Sequence, residues 1–132
     1  MDDEIRVLIV DDNDDARSYI LRVLTFEADI VVVAEATNGL DALALVQEFQ
    51  PHVVLMDLNM PMMDGITACG EIKRMAPATQ VIILSVQDDA GPMREAIENG
   101  ASAFLIKPVD PEDLIDLLHR AYTAYTQISP FS

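Results

Sequence analysis

The sequence predicts an α/β protein, a five-stranded parallel sheet of order 2-1-3-4-5 built as a flavodoxin-like (βα)5 three-layer sandwich. Three observations lead there. Five short apolar runs recur along the chain: IRVLIV at 5–10, IVVVA at 30–34, VVLM at 53–56, VIIL at 81–84 and AFLI at 103–106. They are continuous where half-exposed strands would alternate, the pattern of strands covered on both faces. Each is followed by a stretch of helical period, and right-handed crossovers leave few ways to arrange such a repeat.

The first strand, Ile5 to Val10, runs into Asp11, Asp12, Asn13, Asp14 and Asp15. Ala16, Ile20, Val23 and Leu24 follow at i, i+4, i+7 and i+8, one face of the first helix. Capping and the helix dipole account for Asn13, Asp14 and Asp15. Asp11 and Asp12, on the strand side, are left over. After the second strand, Asn38-Gly39 opens a helix with Ala42, Leu45, Val46 and Phe49 on its apolar face, and Pro51 closes it. The third strand ends at Asp57 and breaks into a loop holding Pro61 and Gly65. A helix from about Ile66 to Met75 carries Cys69, Ile72 and Ala76 inward, with Cys69 as a small core residue. The fourth strand ends at Ser85. Gly91-Pro92 opens a short helix with Met93, Ala96 and Ile97 as its apolar face, and Gly100 suits a left-handed terminus. The fifth strand ends at Lys107-Pro108. Asp110-Pro111-Glu112-Asp113 then starts a last helix whose face is Leu114, Leu117, Leu118, Ala121, Tyr122 and Tyr125.

With 132 residues, 51 % of them hydrophobic, the chain suits one domain over 1–132, with a core at about 4–125 and the rest a tail or the start of a linker. Pro130 reads as a helix stop. A net charge of -15 argues against direct binding to nucleic acid or an anionic membrane, since only eight Lys and Arg are present and they are scattered. The single Cys69 rules out an internal disulfide and a Cys-based zinc site. The acidic start resembles neither a signal peptide nor a membrane span, so a cytoplasmic location is expected.

In the 2-1-3-4-5 order the strand connections reverse between the first and third strands, where open α/β sheets bind ligands. Asp11, Asp12 and Asp57 would converge there, with Ser85 and Lys107 along the same edge. Each alone has an ordinary explanation as a turn, cap or solvated side chain. Together they describe a site. Carboxylates at 4 Å repel by up to about 4 kcal/mol per pair at an effective dielectric near 20, which calls for a divalent cation such as Mg²⁺. A lysine and a hydroxyl add the donors needed to stabilise a phosphoryl group in transfer to a carboxylate nucleophile.

The segments VLIVDDN, LMDLNMPMMDG, IILS and AFLIKPVD, in this order, resemble the receiver domains of two-component response regulators over about residues 4–125. The resemblance implies that Asp57 is the phosphoacceptor. It implies Mg²⁺ or Mn²⁺ bound by Asp12, Asp57 and the backbone carbonyl of Asn59, with Asp11 acting through water. Lys107 and Ser85 would contact the phosphoryl group, and the bond before Pro108 is often cis in this family. Phe104 matches the family's switch aromatic, coupled through Ser85 to the surface of the fourth helix, fifth strand and fifth helix. The implied partners are a histidine kinase or phosphotransfer protein, a downstream effector or fused output domain, and a second copy through that same surface.

Ser85 stands where Thr is commoner and Val86 where a small residue is usual, so Val86 is expected to narrow access to Asp57. Asn59 and Gln87, at the variable flanking positions, are amides that offer no general base, which points to a moderately long-lived phosphoaspartate. Two other functions compete. An aspartyl-phosphate phosphatase of the haloacid dehalogenase type carries its nucleophile after the first strand, where this chain has DDND. A receiver-shaped module working without phosphorylation would not need an intact set of Asp11, Asp12, Asp57, Ser85 and Lys107.

Overall fold

The computed structural model describes residues 4–86 and 90–128. Gln87 and the tail at 129–132, including Pro130, lie outside the described residues. Strands β1 (Ile5–Val10), β2 (Ile30–Ala36), β3 (Val53–Asp57), β4 (Gln80–Ser85) and β5 (Ala103–Ile106) alternate with helices α1 (Asp14–Thr25), α2 (Gly39–Phe49), α3 (Gly65–Met75), α4 (Ala90–Glu98) and α5 (Pro111–Ile128). All four strand pairs are parallel, in the order β2-β1-β3-β4-β5. The expected sheet is therefore the observed one, with β2 two residues longer at its end and β4 one residue longer at its start.

The apolar runs are continuous because alternate residues serve two different cores. Leu8, Val10, Val54, Met56 and Ile83 face one side and pack with Ala42 and Val46 of α2, Ala68 and Ile72 of α3 and Ala96 of α4. Val7, Ile9, Val53, Leu55 and Ile82 face the other and pack with Ile20 and Leu24 of α1 and Leu114 and Leu118 of α5. Each fully buried Leu, Ile or Val contributes about 1.5–3 kcal/mol of hydrophobic stabilisation, so the central strands bind the three layers together. Asn13, Asn38 and Asp64 cap α1, α2 and α3, each accepting a backbone N–H at 2.8–2.9 Å. Asp110 Oδ2 accepts from Asp113 N at 3.1 Å at the start of α5.

One helix departs from expectation. Of the face read for α4, only Ala96 is buried, while Met93 is 38 % and Ile97 49 % exposed. Near the sheet's end α4 covers a strip one small residue wide, so the rest of its apolar side meets solvent. Gly100 has φ +100 and ends this helix segment as anticipated.

At the amino end of β3, His52 Nδ1 accepts the Arg6 N–H at 2.9 Å. Its ring meets Tyr122 and Tyr125 of α5 edge-on at 5.0 and 4.6 Å. Burial and the nearby Arg6 charge hold its pKa below the ordinary value. A depressed pKa means that the folded state favours neutral imidazole, so its contribution is full above the unfolded value of about 6.5 and is lost as the pH falls. Wild type should therefore lose stability on acidification below about pH 6.5 more steeply than His52→Asn, which keeps an acceptor for Arg6 but does not titrate. Denaturant midpoints measured across that pH range test this.

In the loop after β3, Met63 N donates to Pro61 O at 2.7 Å across Met62, which has φ 71. This is a strained γ-turn for a side chain, and Met62 is 72 % exposed, so little packing offsets it. Met62→Gly should raise stability by about 0.5–1 kcal/mol in urea melts, the cost of the positive-φ turn relieved less the entropy of glycine.

Candidate functional site

Parallel pairing brings the ends of β1, β3, β4 and β5 to one edge. Val10 is level with Met56, Asp57 with Leu84, and Ser85 with Ile106. One further residue along β1 and β5 therefore sets Asp11 and Lys107 on either side of Asp57. The Asp11 amide donates to Ala36 O at 3.0 Å, which continues the β1–β2 pairing and fixes where the turn into α1 begins. A register shift after Val7 places Leu8 opposite Ala34, and this extra residue in β2 brings Ala36 level with Val10.

The beginning of α3 closes over the end of β3. Gly65 N donates to Leu58 O at 2.8 Å, and a Cβ on Gly65 would lie 2.2 Å from the Asp57 carbonyl oxygen. Glycine is the residue this approach allows, which explains the Asp-Gly that ends the loop. Leu58 N donates to Leu84 O at 3.1 Å and Lys107 N to Ser85 O at 2.7 Å, so both neighbouring strand ends are tied in as well.

Three acids and one amine meet at the centre. Ligand oxygens of Asp11, Asp12 and Asp57 all lie within 4.8 Å of one another. Lys107 Nζ donates to Asp11 Oδ2 at 2.8 Å and to Asp57 Oδ1 at 2.9 Å. Asp11 is buried, Asp57 half-buried and Asp12 exposed, so the cluster opens to solvent on the Asp12 side. Burial pushes the Asp57 carboxyl above the usual range; the Lys107 hydrogen bond works against this, and the Asp11 and Asp12 charges add to it. Burial works to lower Lys107, but its bonds to Asp11 and Asp57 prevail and its pKa is raised, so the ammonium is held charged.

This donor set fits a hard divalent cation. It is all oxygen, it carries three potential negative charges, and a single ammonium leaves the charge incompletely balanced. Chemically, the arrangement offers a desolvated carboxylate, positive charge beside it and an open approach.

The other expected residues surround this centre. Ser85 is 1 % exposed at the end of β4. Val86, one residue on, is 72 % exposed, so its side chain stands mostly in solvent. Asn59 is exposed, and Phe104 is half-buried against the α2–α3–α4 side of the core. Lys107–Pro108 is cis. A groove of about 410 Å³ beside Lys107 is lined by Asp11, Tyr19, Leu84, Pro108 and Val109. A larger one of about 530 Å³, lined by Val46, Met75 and Tyr125 among others, lies at the amino end of the strands, away from the acids.

Sequence reasoning missed Arg17. Its Nη1 donates to the Asp11 carbonyl at 2.7 Å and its Nε to Glu35 Oε1 at 3.1 Å, and it pairs with Asp14. The available signal was its position: a cation in the first turn of α1 stands at the disfavoured end of the helix dipole and needs anions close by.

Comparison with known proteins bears on this arrangement. Residues 7–119 match the family model described as the response regulator receiver domain. Chemotaxis protein CheY of Listeria monocytogenes is 36 % identical over 117 residues, covering 89 % of this chain and 98 % of that protein. Transcriptional regulatory protein DegU of Brevibacillus brevis is 34 % identical over 115 residues, 87 % of this chain; the chain spans only 49 % of DegU. A solved chain of the CheX-CheY-BeF3-Mg complex from Borrelia burgdorferi superimposes with a TM-score of 0.84 at 25 % identity, covering 89 % of each chain. The chain belongs to the response regulator receiver domains of two-component signalling.

Proposed function

We propose that Asp57 accepts a phosphoryl group from the phosphohistidine of a histidine kinase or phosphotransfer protein, and that this modification shifts the α4/β5/α5 surface between two states. The observation that carries the reading is Lys107 Nζ held between Asp11 and Asp57 at 2.8 and 2.9 Å, with Asp12 beside them. In the transfer, an Asp57 oxygen forms the bond to phosphorus while the donor's phosphorus–nitrogen bond breaks and the leaving imidazole takes up a proton. The Lys107 ammonium passes from the carboxylate to a phosphoryl oxygen, and the Ser85 hydroxyl donates to another. Mg²⁺ or Mn²⁺, held by Asp12, Asp57 and the Asn59 carbonyl with Asp11 acting through water, would add positive charge at the phosphoryl oxygens. Dephosphorylation is attack of water on phosphorus, releasing phosphate and restoring the carboxylate. Asn59 and Gln87 supply no base for that water, so the acyl phosphate persists.

Apart from forming and losing its own phosphoaspartate the domain is read as non-enzymatic, with residues 1–132 acting as one receiver. Phe104 and Ser85 form the switch, drawn inward together as the phosphoryl group arrives. The signal passes to a separate effector, a fused output domain such as the remaining length of DegU suggests, or a second copy of the chain. With a net charge of -15, nucleic acid is not contacted by this domain itself. Among the described residues no helix is long and apolar enough to cross a membrane, and a cytoplasmic site of action is part of this reading.

Intact mass after incubation with acetyl phosphate tests the chemistry. Wild type should gain one phosphoryl group with Mg²⁺ and none in excess chelator, and Asp57→Asn should gain none. No adduct on wild type that demonstrably binds Mg²⁺ would overturn the reading in favour of a phosphate-independent interaction module. Val86→Ala should speed both phosphorylation and hydrolysis by a few-fold when the adduct is followed over time; equal rates would remove Val86 from control of access.

A further inference from the structure

Arg17 lies 15 % exposed in the first turn of α1, and three anionic or carbonyl groups share its guanidinium. Nε donates to Glu35 Oε1 at 3.1 Å, Nη2 pairs with Asp14, and Nη1 donates to the Asp11 backbone carbonyl at 2.7 Å. That carbonyl belongs to the peptide joining Asp11 to Asp12, so its direction sets where the Asp12 side chain begins. The other polar groups of Asp11 are engaged elsewhere. Its amide donates to Ala36 O at 3.0 Å, Oδ1 accepts from Asn13 N at 2.9 Å and Oδ2 accepts from Lys107 at 2.8 Å. Arg17 therefore fixes the remaining group, and it does so from Glu35 near the end of β2 and Asp14 at the start of α1.

We infer that Arg17 is a positioning residue for cation binding: by clamping the Asp11 carbonyl to Glu35 and Asp14, it orients the Asp11–Asp12 peptide so that both carboxylates face Asp57. This rests on the reading of the acids as a cation site and adds a residue that touches neither the cation nor the phosphoryl group. Charge alone gives the opposite sign, because removing a cation near three carboxylates should tighten the binding of another. In Arg17 that attraction is largely taken up by Asp14 and Glu35, and what reaches the site is the direction of one hydrogen bond. The planar fork matters for the same reason, since a lysine ammonium cannot meet the carbonyl and Glu35 in the same geometry.

The test uses Mg²⁺ binding followed by calorimetry and by the rise in melting temperature, alongside the Mg²⁺ dependence of acetyl phosphate labelling. Arg17→Gln combined with Glu35→Gln removes one charge of each sign and leaves the net charge unchanged. This double variant should weaken Mg²⁺ about tenfold, the low end of what loss of an outer hydrogen-bond partner costs a metal site. Its maximal labelling rate should recover at saturating Mg²⁺, and Arg17→Lys should fall between it and wild type. A merely structural role would lower the metal-free melting temperature and the maximal rate without moving the half-saturating Mg²⁺ concentration. That outcome, or a double variant that binds Mg²⁺ as tightly as wild type, would overturn the inference alone. Wild type that binds no Mg²⁺ would overturn it together with the proposed function.

Discussion

Lys107 Nζ sits 2.8 Å from Asp11 and 2.9 Å from Asp57, and the carboxyl edge of the sheet is arranged around that pair of contacts. Three carboxylates with oxygens within 4.8 Å of one another would otherwise push the ends of β1 and β3 apart. Both lysine contacts are largely shielded from solvent, so they act in a medium where charge counts for more than at a free surface. The lysine reaches them because β5 is the far edge strand and its chain continues past Ile106, pinned by Lys107 N to Ser85 O at 2.7 Å. In the proposed transfer the same ammonium is the group a phosphoryl oxygen would compete for, so one side chain that balances the metal-free site would also respond to its modification.

The rest of the fold supplies rigidity to that edge. Val53, Val54, Leu55 and Met56 are wholly buried, with alternate residues in each of the two cores, so β3 cannot slide without disturbing both. Asp57 is thus the end of a strand anchored in both cores. Gly65 brings α3 so close to the Asp57 carbonyl that the loop between them has little freedom, and part of its cost appears at Met62, an exposed side chain at positive φ. A local conformational cost at the rim of a site, supported by a dense core beneath it, is the usual distribution of strain in folded proteins.

The two faces of the sandwich are unequal. On the α1–α5 face, long helices bring Ile20, Leu24, Leu114 and Leu118 onto the sheet. On the other face α4 is short and buries only Ala96, leaving Met93, Ile97, Val86 and Ile106 between 38 % and 72 % exposed. The α4 side of the proposed switch surface is thus held by few buried groups. A packing change there disturbs little of the core, which suits an element that alternates between two arrangements.

Much of this was legible in the sequence because it rests on local rules. Continuous apolar runs mark two-sided strands, Asn13, Asn38 and Asp110 mark helix starts, and strand order brings Asp11, Asp12, Asp57, Ser85 and Lys107 to one edge whatever the details of packing. Other features are set by long-range placement. Periodicity gave α4 a three-residue apolar face, but the area a helix can cover depends on where it lies over the sheet, and only Ala96 finds cover. Nothing local pairs Arg17 with Glu35, eighteen residues away, or sets His52 against Tyr122 and Tyr125. Sequence by itself determined the chemical parts and the edge they share, because periodicity and turn chemistry act between near neighbours. The tertiary structure decided which oxygen Lys107 bonds, which peptide Arg17 holds and which apolar side chains remain in water, because those contacts join segments whose distance apart only the folded chain defines.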